Sequence, residues 1–136
     1  MKYEITEETK AVFGVTLHRI RAKKSFGDIS QGDLGGWVEK EENLDQYSNA
    51  WVSDNALVYG NARVYGNACV SGNACVSGNA SVSGNACVSG NARVYDNAWV
   101  YGDAWVYGDA CVSGNALVYG DARVYGDARV YGNAVS

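Results

Sequence analysis

A six-residue repeat runs without a single insertion from residue 49 to residue 132. Its fourteen hexads read (Asn/Asp)-Ala-x-Val-(Ser/Tyr)-(Gly/Asp), as in NACVSGNACVSG at residues 67–78. A short fixed period of this kind is typical of a solenoid, in which each repeat packs only on its neighbours. Because Ala and Val supply most of the apolar content, the repeat predicts a narrow and regular interior.

Each hexad is predicted to be one short strand followed by one corner. Its Ala and Val stand two residues apart, so both side chains point to the same side of a strand. The positions beside them vary among Trp, Arg, Cys, Leu, Ser and Tyr, so we expect them to face outward. Gly followed by Asn or Asp supplies the corner, because these residues tolerate positive φ.

The hexad resembles the repeat of left-handed parallel β-helices, in which an aliphatic residue recurs every six positions, two after a small one. Val52 matches the aliphatic site and Ala50 the small site, as do their successors. That family places three hexads in each triangular coil, so residues 18 apart stack. The resemblance therefore implies an all-β, single-stranded left-handed parallel β-helix of about five coils.

The segment before the repeat has a different character and is predicted to form a small β cap. KYEIT, GVTLHRIRA and LGGWVEK are typical of short strands, with ETKAVFG and KKSFGDISQGD as turns. We expect residues 1–42 to cover the first coil and residues 43–136 to form the β-helix. The closing NAVS leaves the last coil open, which favours end-to-end association.

Stacking at the three-hexad interval sorts the outward positions onto three faces. The first carries Trp51, Cys69, Cys87, Trp105 and Arg123; the second Leu57, Cys75, Arg93, Cys111 and Arg129; the third Arg63, Ser81, Trp99, Leu117 and Val135. Ser or Tyr stands two positions after each of these residues except Val135. On the third face, an exposed apolar patch is predicted from Trp99, Tyr101, Leu117, Tyr119 and Val135.

Large exposed apolar patches mark interfaces, so we predict a contact surface for a protein partner or for self-association. Its residues are Trp99, Tyr101, Trp105, Tyr107, Leu117 and Tyr119. A homo-oligomer is favoured, since hexapeptide-repeat proteins often form them. The alternative is that these aromatic residues only satisfy β propensity and pack along their own ladders. A second candidate is the basic patch Arg19, Arg21, Lys23 and Lys24.

Charge and hydropathy restrict the other partners. A net charge of −4 gives no chain-wide basic signal for nucleic acid, and the four repeat arginines fall on three faces, so such contact is weakly supported. MKYEITEETK has no apolar core, and no apolar run approaches the ~18 residues of a membrane helix. We therefore predict a soluble, cytoplasmic protein with reduced thiols and no membrane partner.

The cysteines are predicted to be small outward residues and not a metal site. Cys69 and Cys75 stand on different faces, and nothing completes the four ligands that zinc usually takes. Cys69 and Cys87 stack, so a disulfide is geometrically conceivable, but a reducing compartment argues against it. The paired Asp103/Asp121 and Asp109/Asp127 are interpreted as replacements for corner Asn. No metal and no cofactor is predicted.

Catalysis is not predicted either. Hexapeptide-repeat β-helices include trimeric acyltransferases, which use a histidine base near a subunit interface, often with a loop leaving the helix. The only histidine here is His18, outside the repeat, and the hexads contain no inserted loop. An acyltransferase-like enzyme stays the alternative function.

LHRIRAKKSFGDISQGDLGGWVEKEENL followed by NARVYGNA-type repeats resembles hexapeptide-repeat proteins of bacteria, phages and prophages, commonly labelled polymer-forming or transferase-like. This resemblance implies a non-catalytic binding or scaffold protein that presents rigid faces to a macromolecular partner or to itself. A phage-borne inhibitor of host defence, such as an anti-CRISPR factor, is one form that such a protein would take.

Overall fold

The computed structural model describes residues 1–132 and 134–135 and is a left-handed parallel β-helix of five coils of short strands, as predicted. A single 3-10 turn within the described part of the chain spans Glu41–Asn43. The strands are β1 (Tyr3–Val12), β2 (Val15–Ala22), β3 (Leu34–Val38), β4 (Trp51–Val52), β5 (Leu57–Val58), β6 (Arg63–Val64), β7 (Cys69–Val70), β8 (Cys75–Val76), β9 (Ser81–Val82), β10 (Cys87–Val88), β11 (Arg93–Val94), β12 (Trp99–Val100), β13 (Trp105–Val106), β14 (Cys111–Ser113), β15 (Leu117–Val118), β16 (Arg123–Val124), β17 (Arg129–Tyr131) and β18 (Ala134–Val135).

Three parallel sheets form the three faces. The first face is β4-β7-β10-β13-β16, and the third is β6-β9-β12-β15-β18. The second is β3-β5-β8-β11-β14-β17, which the β1–β2 hairpin extends at the β3 edge. Residues 18 apart pair directly, as Trp51 does with Cys69 and Cys69 with Cys87. This register confirms three hexads in each coil.

The interior is made of the Ala and Val of the repeat. Every such residue from Ala50 to Val118 is at most 1% exposed. Burial of each Val side chain contributes on the order of 1.5–3 kcal/mol, so the repeat stabilises itself coil by coil. The corner residues have positive φ, and Asp54 and Asp96 replace Gly there at φ 57° and 61°. The carboxylate of Asp96 accepts a hydrogen bond from the Gly114 N–H at 3.2 Å.

A coil without the hexad pattern precedes the repeat. β3 pairs antiparallel with β2 and parallel with β5, and Val38 pairs with Val58, two positions beyond the three-hexad interval. Gly36 therefore stands where later coils have Ala, and Trp37 stands at the outward position. Leu44 makes a parallel bridge to Val64 and is fully buried. Because paired residues here lie two positions farther apart than three hexads, this coil cannot be recognised from the hexad pattern.

The N-terminal segment packs across this first coil. The ammonium group of Lys2 donates hydrogen bonds to the carbonyl oxygens of Ser48 and Ala50 at 2.6 and 2.5 Å. The hydroxyl of Tyr3 donates one to the carbonyl oxygen of Leu44 at 2.7 Å. The rings of Phe26 and Trp51 meet edge to face, with 5.4 Å between centroids.

The expectations for two outward residues and for one turn of the N-terminal segment are wrong. Trp51 and Leu57 were expected to face solvent, but they are 5% and 9% exposed because the N-terminal segment covers them. The segment ETKAVFG is no turn, since β1 continues to Val12 and only Phe13 and Gly14 lie between the strands.

Val135 does not stack on Leu117. It pairs with the interior residue Val118, because NAVS has Val directly after Ala and lacks an outward residue. Val135 packs against the core and is no part of the predicted patch. Asn133 and Ser136, which belong to the same predicted coil, lie outside the described residues.

Candidate functional site

The six predicted contact residues lie on two neighbouring faces of the β-helix. Strands β12 and β15 place Trp99, Tyr101, Leu117 and Tyr119 on the third face, and β13 places Trp105 and Tyr107 on the first. We call these six residues the aromatic surface. Trp99 and Trp105 are 47% and 45% exposed, and the other four are half-buried. The aromatic surface therefore stands open to solvent on the later coils.

Ring contacts order the aromatic surface internally. On the third face, Trp99 meets Tyr101 edge-on at 6.0 Å between centroids, and Tyr101 stacks on Tyr119 at 5.4 Å and 11°. Offset-stacked and edge-to-face pairs of this kind add about 0.5–1.5 kcal/mol each. These contacts restrict the rings to one arrangement in the chain by itself.

The first face repeats this arrangement one hexad later. Trp105 meets Tyr107 edge-on at 6.4 Å, and Tyr107 stacks on Tyr125 at 5.4 Å. The guanidinium of Arg123 lies 5.1 Å from the centroid of the Trp105 ring, which is a cation–π contact. Tyr125 and Arg123 thus adjoin the aromatic surface. Their three-hexad spacing from Tyr107 and Trp105 was the signal that would have included them.

The basic patch is partly neutralised by carboxylates of its own sheet. Arg19 forms an ion pair with Glu8 at 3.7 Å, and its Nε donates to the carbonyl oxygen of Gly35 at 3.1 Å. Arg21 forms an ion pair with Glu4. Lys23 and Lys24 are exposed just beyond the end of β2. Two of the four cations are therefore engaged within the chain.

The chain's histidine lies on a strand of the hairpin sheet. His18 pairs with Thr9 of β1 and with Val38 of β3. Neither partner is a carboxylate that would orient an imidazole base. A catalytic arrangement around His18 therefore has no support in its cross-strand neighbours.

A groove of about 690 Å³ lies on the second face and was not predicted from the sequence. Arg93 and Arg129 line it, two coils apart, together with Tyr95 and Asp96. Phe13, at the tip of the β1–β2 hairpin, also lines the groove and is 74% exposed at φ 54°. Positive φ is a strained conformation for a bulky residue. AVFGVT, with one Gly between two apolar runs, was the available hairpin signal.

All four cysteines are free thiols. Among residues 1–132 and 134–135, no three His, Cys, Asp or Glu side chains are grouped closely enough to hold a metal ion. In the same part of the chain, no helix is long and apolar enough to cross a membrane.

Comparison with known proteins places the repeat among β-solenoids. A family model described as YdcK Beta solenoid repeat matches residues 50–66, 58–72, 62–78, 86–102, 92–108 and 122–136. A protein named "Uncharacterized acetyltransferase YdcK", from Escherichia coli (strain K12), is 34% identical over 61 residues. This similarity covers 39% of the present chain and 19% of the relative, so the chain matches about a fifth of that protein's length.

Proposed function

We propose that this hexapeptide-repeat β-helix protein is a non-catalytic binding protein that associates through its aromatic surface. The observation that carries this proposal is the half-exposed, mutually stacked set of rings on two adjacent faces. Trp and Tyr are the residues that most often supply binding energy at interfaces.

Rigidity supports the same conclusion. Ordering a side chain at an interface costs about 0.5–1.5 kcal/mol, and stacking has already restricted Tyr101, Tyr107 and Tyr119. The backbone beneath them is tied to the next coil, with the N–H of Tyr101 donating to the carbonyl oxygen of Val118 at 2.9 Å. A partner would therefore meet a surface that needs little reorganisation.

A second copy of the chain is the first partner to test, since homo-oligomers are common among hexapeptide-repeat proteins. Light scattering of the purified protein measures its mass, and Trp99→Asp places a carboxylate among the third-face rings. We expect this variant to lose association. Arg93→Asp places the same charge on the second face and should leave the mass unchanged. An associated Trp99→Asp protein would refute self-association through this surface.

A foreign protein is the alternative partner if the wild-type chain is a monomer. The wild-type chain and Trp99→Asp are then compared as baits in a bacterial lysate, with Arg93→Asp again as the control. A partner retained by the wild type and by Arg93→Asp, and lost by Trp99→Asp, supports the proposal. Retention by all three contradicts it. An inhibitor of host defence, and the phage or prophage source that goes with it, stays a prediction until such a partner is identified.

Acyl transfer is the second candidate function, and its support is the printed name of the Escherichia coli relative. It predicts binding of acetyl-CoA by calorimetry and release of CoA that His18→Ala abolishes. No heat of binding and no CoA release would leave the binding protein as the better description.

A further inference from the structure

We propose that Cys69 and Cys87 form a two-coordinate site for a soft monovalent metal ion, with Cu(I) as the natural occupant. The two residues are direct partners in neighbouring strands of the first face, β7 and β10. They occupy the outward position of their hexads, so their side chains leave the sheet side by side. Both are free thiols, with Cys69 exposed and Cys87 half-buried.

Strand spacing suits a bridging metal ion at this pair. Neighbouring strands lie about 4.8 Å apart, and side chains of an in-register parallel pair leave them in parallel directions. A relaxed disulfide needs Cβ atoms roughly 3.5–4.5 Å apart, so this pair would have to be pulled together. Two metal–sulfur bonds of about 2.3 Å in a line span ~4.6 Å, which is close to the spacing of neighbouring strands. Thiolate sulfur is the ligand type that selects Cu(I).

Binding of the ion releases protons, because the thiolate is the form of cysteine that binds a metal. Two thiols and one Cu⁺ therefore give a dithiolate complex of charge −1 and two released H⁺.

The surroundings limit the site to two ligands. Trp51 and Trp105 occupy the adjoining positions of the ladder on either side of the cysteine pair. The indole groups supply no sulfur or imidazole as a third ligand, which excludes the tetrahedral set that zinc prefers. The remaining two cysteines have no such partner, because Arg93 stands between Cys75 and Cys111 on the second face. The chain thus carries two isolated thiols as internal controls.

The test is an anaerobic titration of the reduced protein with Cu(I) held by the chromogenic chelator bicinchoninate. We expect the wild-type chain to withdraw one Cu(I) per chain, and X-ray absorption to show two sulfur neighbours. Cys69→Ser and Cys87→Ser should each lower the affinity by about 100-fold or more, since loss of a ligand exceeds the 10–100-fold cost of a supporting contact. Serine already fills the equivalent position at Ser81, so both variants should fold.

Cys75→Ser and Cys111→Ser are the matched controls and should bind Cu(I) like the wild type. Equal losses in all four variants would overturn the proposal, as would three or four sulfur neighbours or one Cu(I) shared by two chains. Failure of the wild-type chain to compete with the chelator would also overturn it. Circular dichroism of each variant separates loss of the site from loss of the fold.

Discussion

Gly36 stands where every later coil has Ala, and its surroundings leave no room for a methyl group. A Cβ atom there would lie 2.7 Å from the carbonyl oxygen of Ala56 and 2.8 Å from Cγ1 of Val52. Because one obstacle is backbone, Gly36→Ala should lower the free energy of unfolding by about 3 kcal/mol, at the upper end of overpacking costs. Urea titration followed by circular dichroism measures the change.

Gly126→Ala is the contrast to Gly36→Ala, because a Cβ atom at Gly126 meets nothing within 4 Å but the residue has φ +62°. Only backbone strain should therefore lower the free energy of unfolding of Gly126→Ala, by about 1 kcal/mol. A Gly36→Ala protein as stable as the Gly126→Ala protein would show that the first coil yields more easily than its contacts indicate.

The repeat predicts interior residues one by one, yet Gly36 could not be predicted. Ala80 and Val82 were placed inside by the period alone, and both are fully buried. In the coil of Gly36, paired residues lie two positions farther apart than three hexads, and these additional positions remove the periodic signal. The burial of Trp51 was missed for a related reason. It depends on Phe26, a distant contact from a segment with no period.

At the scale of elements, side-chain amides form ladders along the corners of the β-helix. Asn67 donates to Asn85 at 3.2 Å, and Asn85 donates to Asp103 at 3.0 Å. The side chain of Asp103 has no N–H that could donate to Asp121, the next residue along this corner. The ladder therefore changes from a chain of hydrogen bonds into two stacked carboxylates.

Asp103→Asn should extend this ladder by one hydrogen bond and remove one of the two like charges. We expect the free energy of unfolding to rise by about 0.5–1.5 kcal/mol, the usual net value of a hydrogen bond. Thermal unfolding at low and high salt distinguishes the two causes, since salt screens repulsion between exposed charges. A gain that disappears at high salt would mean that relief of repulsion was the whole effect.

The N-terminal segment depends on a buried ammonium group. Lys2 is 1% exposed, and burial lowers its pKa from 10.5 to about 8, although Asp45 opposes the shift. Between pH 8 and pH 10.5 the unfolded chain therefore binds more protons at this residue than the folded chain does. Stability from Lys2 rises with pH across that window and is lowest below pH 8. Burial raises the pKa of Tyr3, so tyrosine ionisation in the unfolded chain opposes the trend above pH 10.

Lys2→Met should remove this dependence. From pH 8 to pH 10, the unfolding free energy of the wild type should rise by about 2 kcal/mol relative to Lys2→Met. Chemical denaturation at several pH values measures the difference, and Lys24→Met, at an exposed lysine, is the control. Parallel pH profiles for the wild type and Lys2→Met would contradict a buried ammonium at the edge of the first coil.

For the whole molecule, architecture was more predictable than contacts. Three hexads in each coil were implied by the resemblance to left-handed β-helices, and the ladders of outward residues follow from that number. The groove beside Arg93 could not be predicted in this way, because one of its lining residues is Phe13 of the hairpin. The aromatic surface was predicted as a set of residues, whereas the identity of any proposed partner depends on a second surface outside this chain.

Coils of one period should also be interchangeable. Duplicating residues 67–84 directly after Gly84 inserts three whole hexads, the interval at which Cys69 pairs with Cys87. We expect the β-helix to lengthen by about 4.8 Å and to gain stability from the added coil interface. Small-angle scattering and urea titration measure both. Duplicating only residues 67–82, without Ser83 and Gly84, is the control, because it puts Asn where a corner begins and should destabilise the chain. If both insertions were tolerated alike, the three-hexad register would not be what stabilises this β-helix.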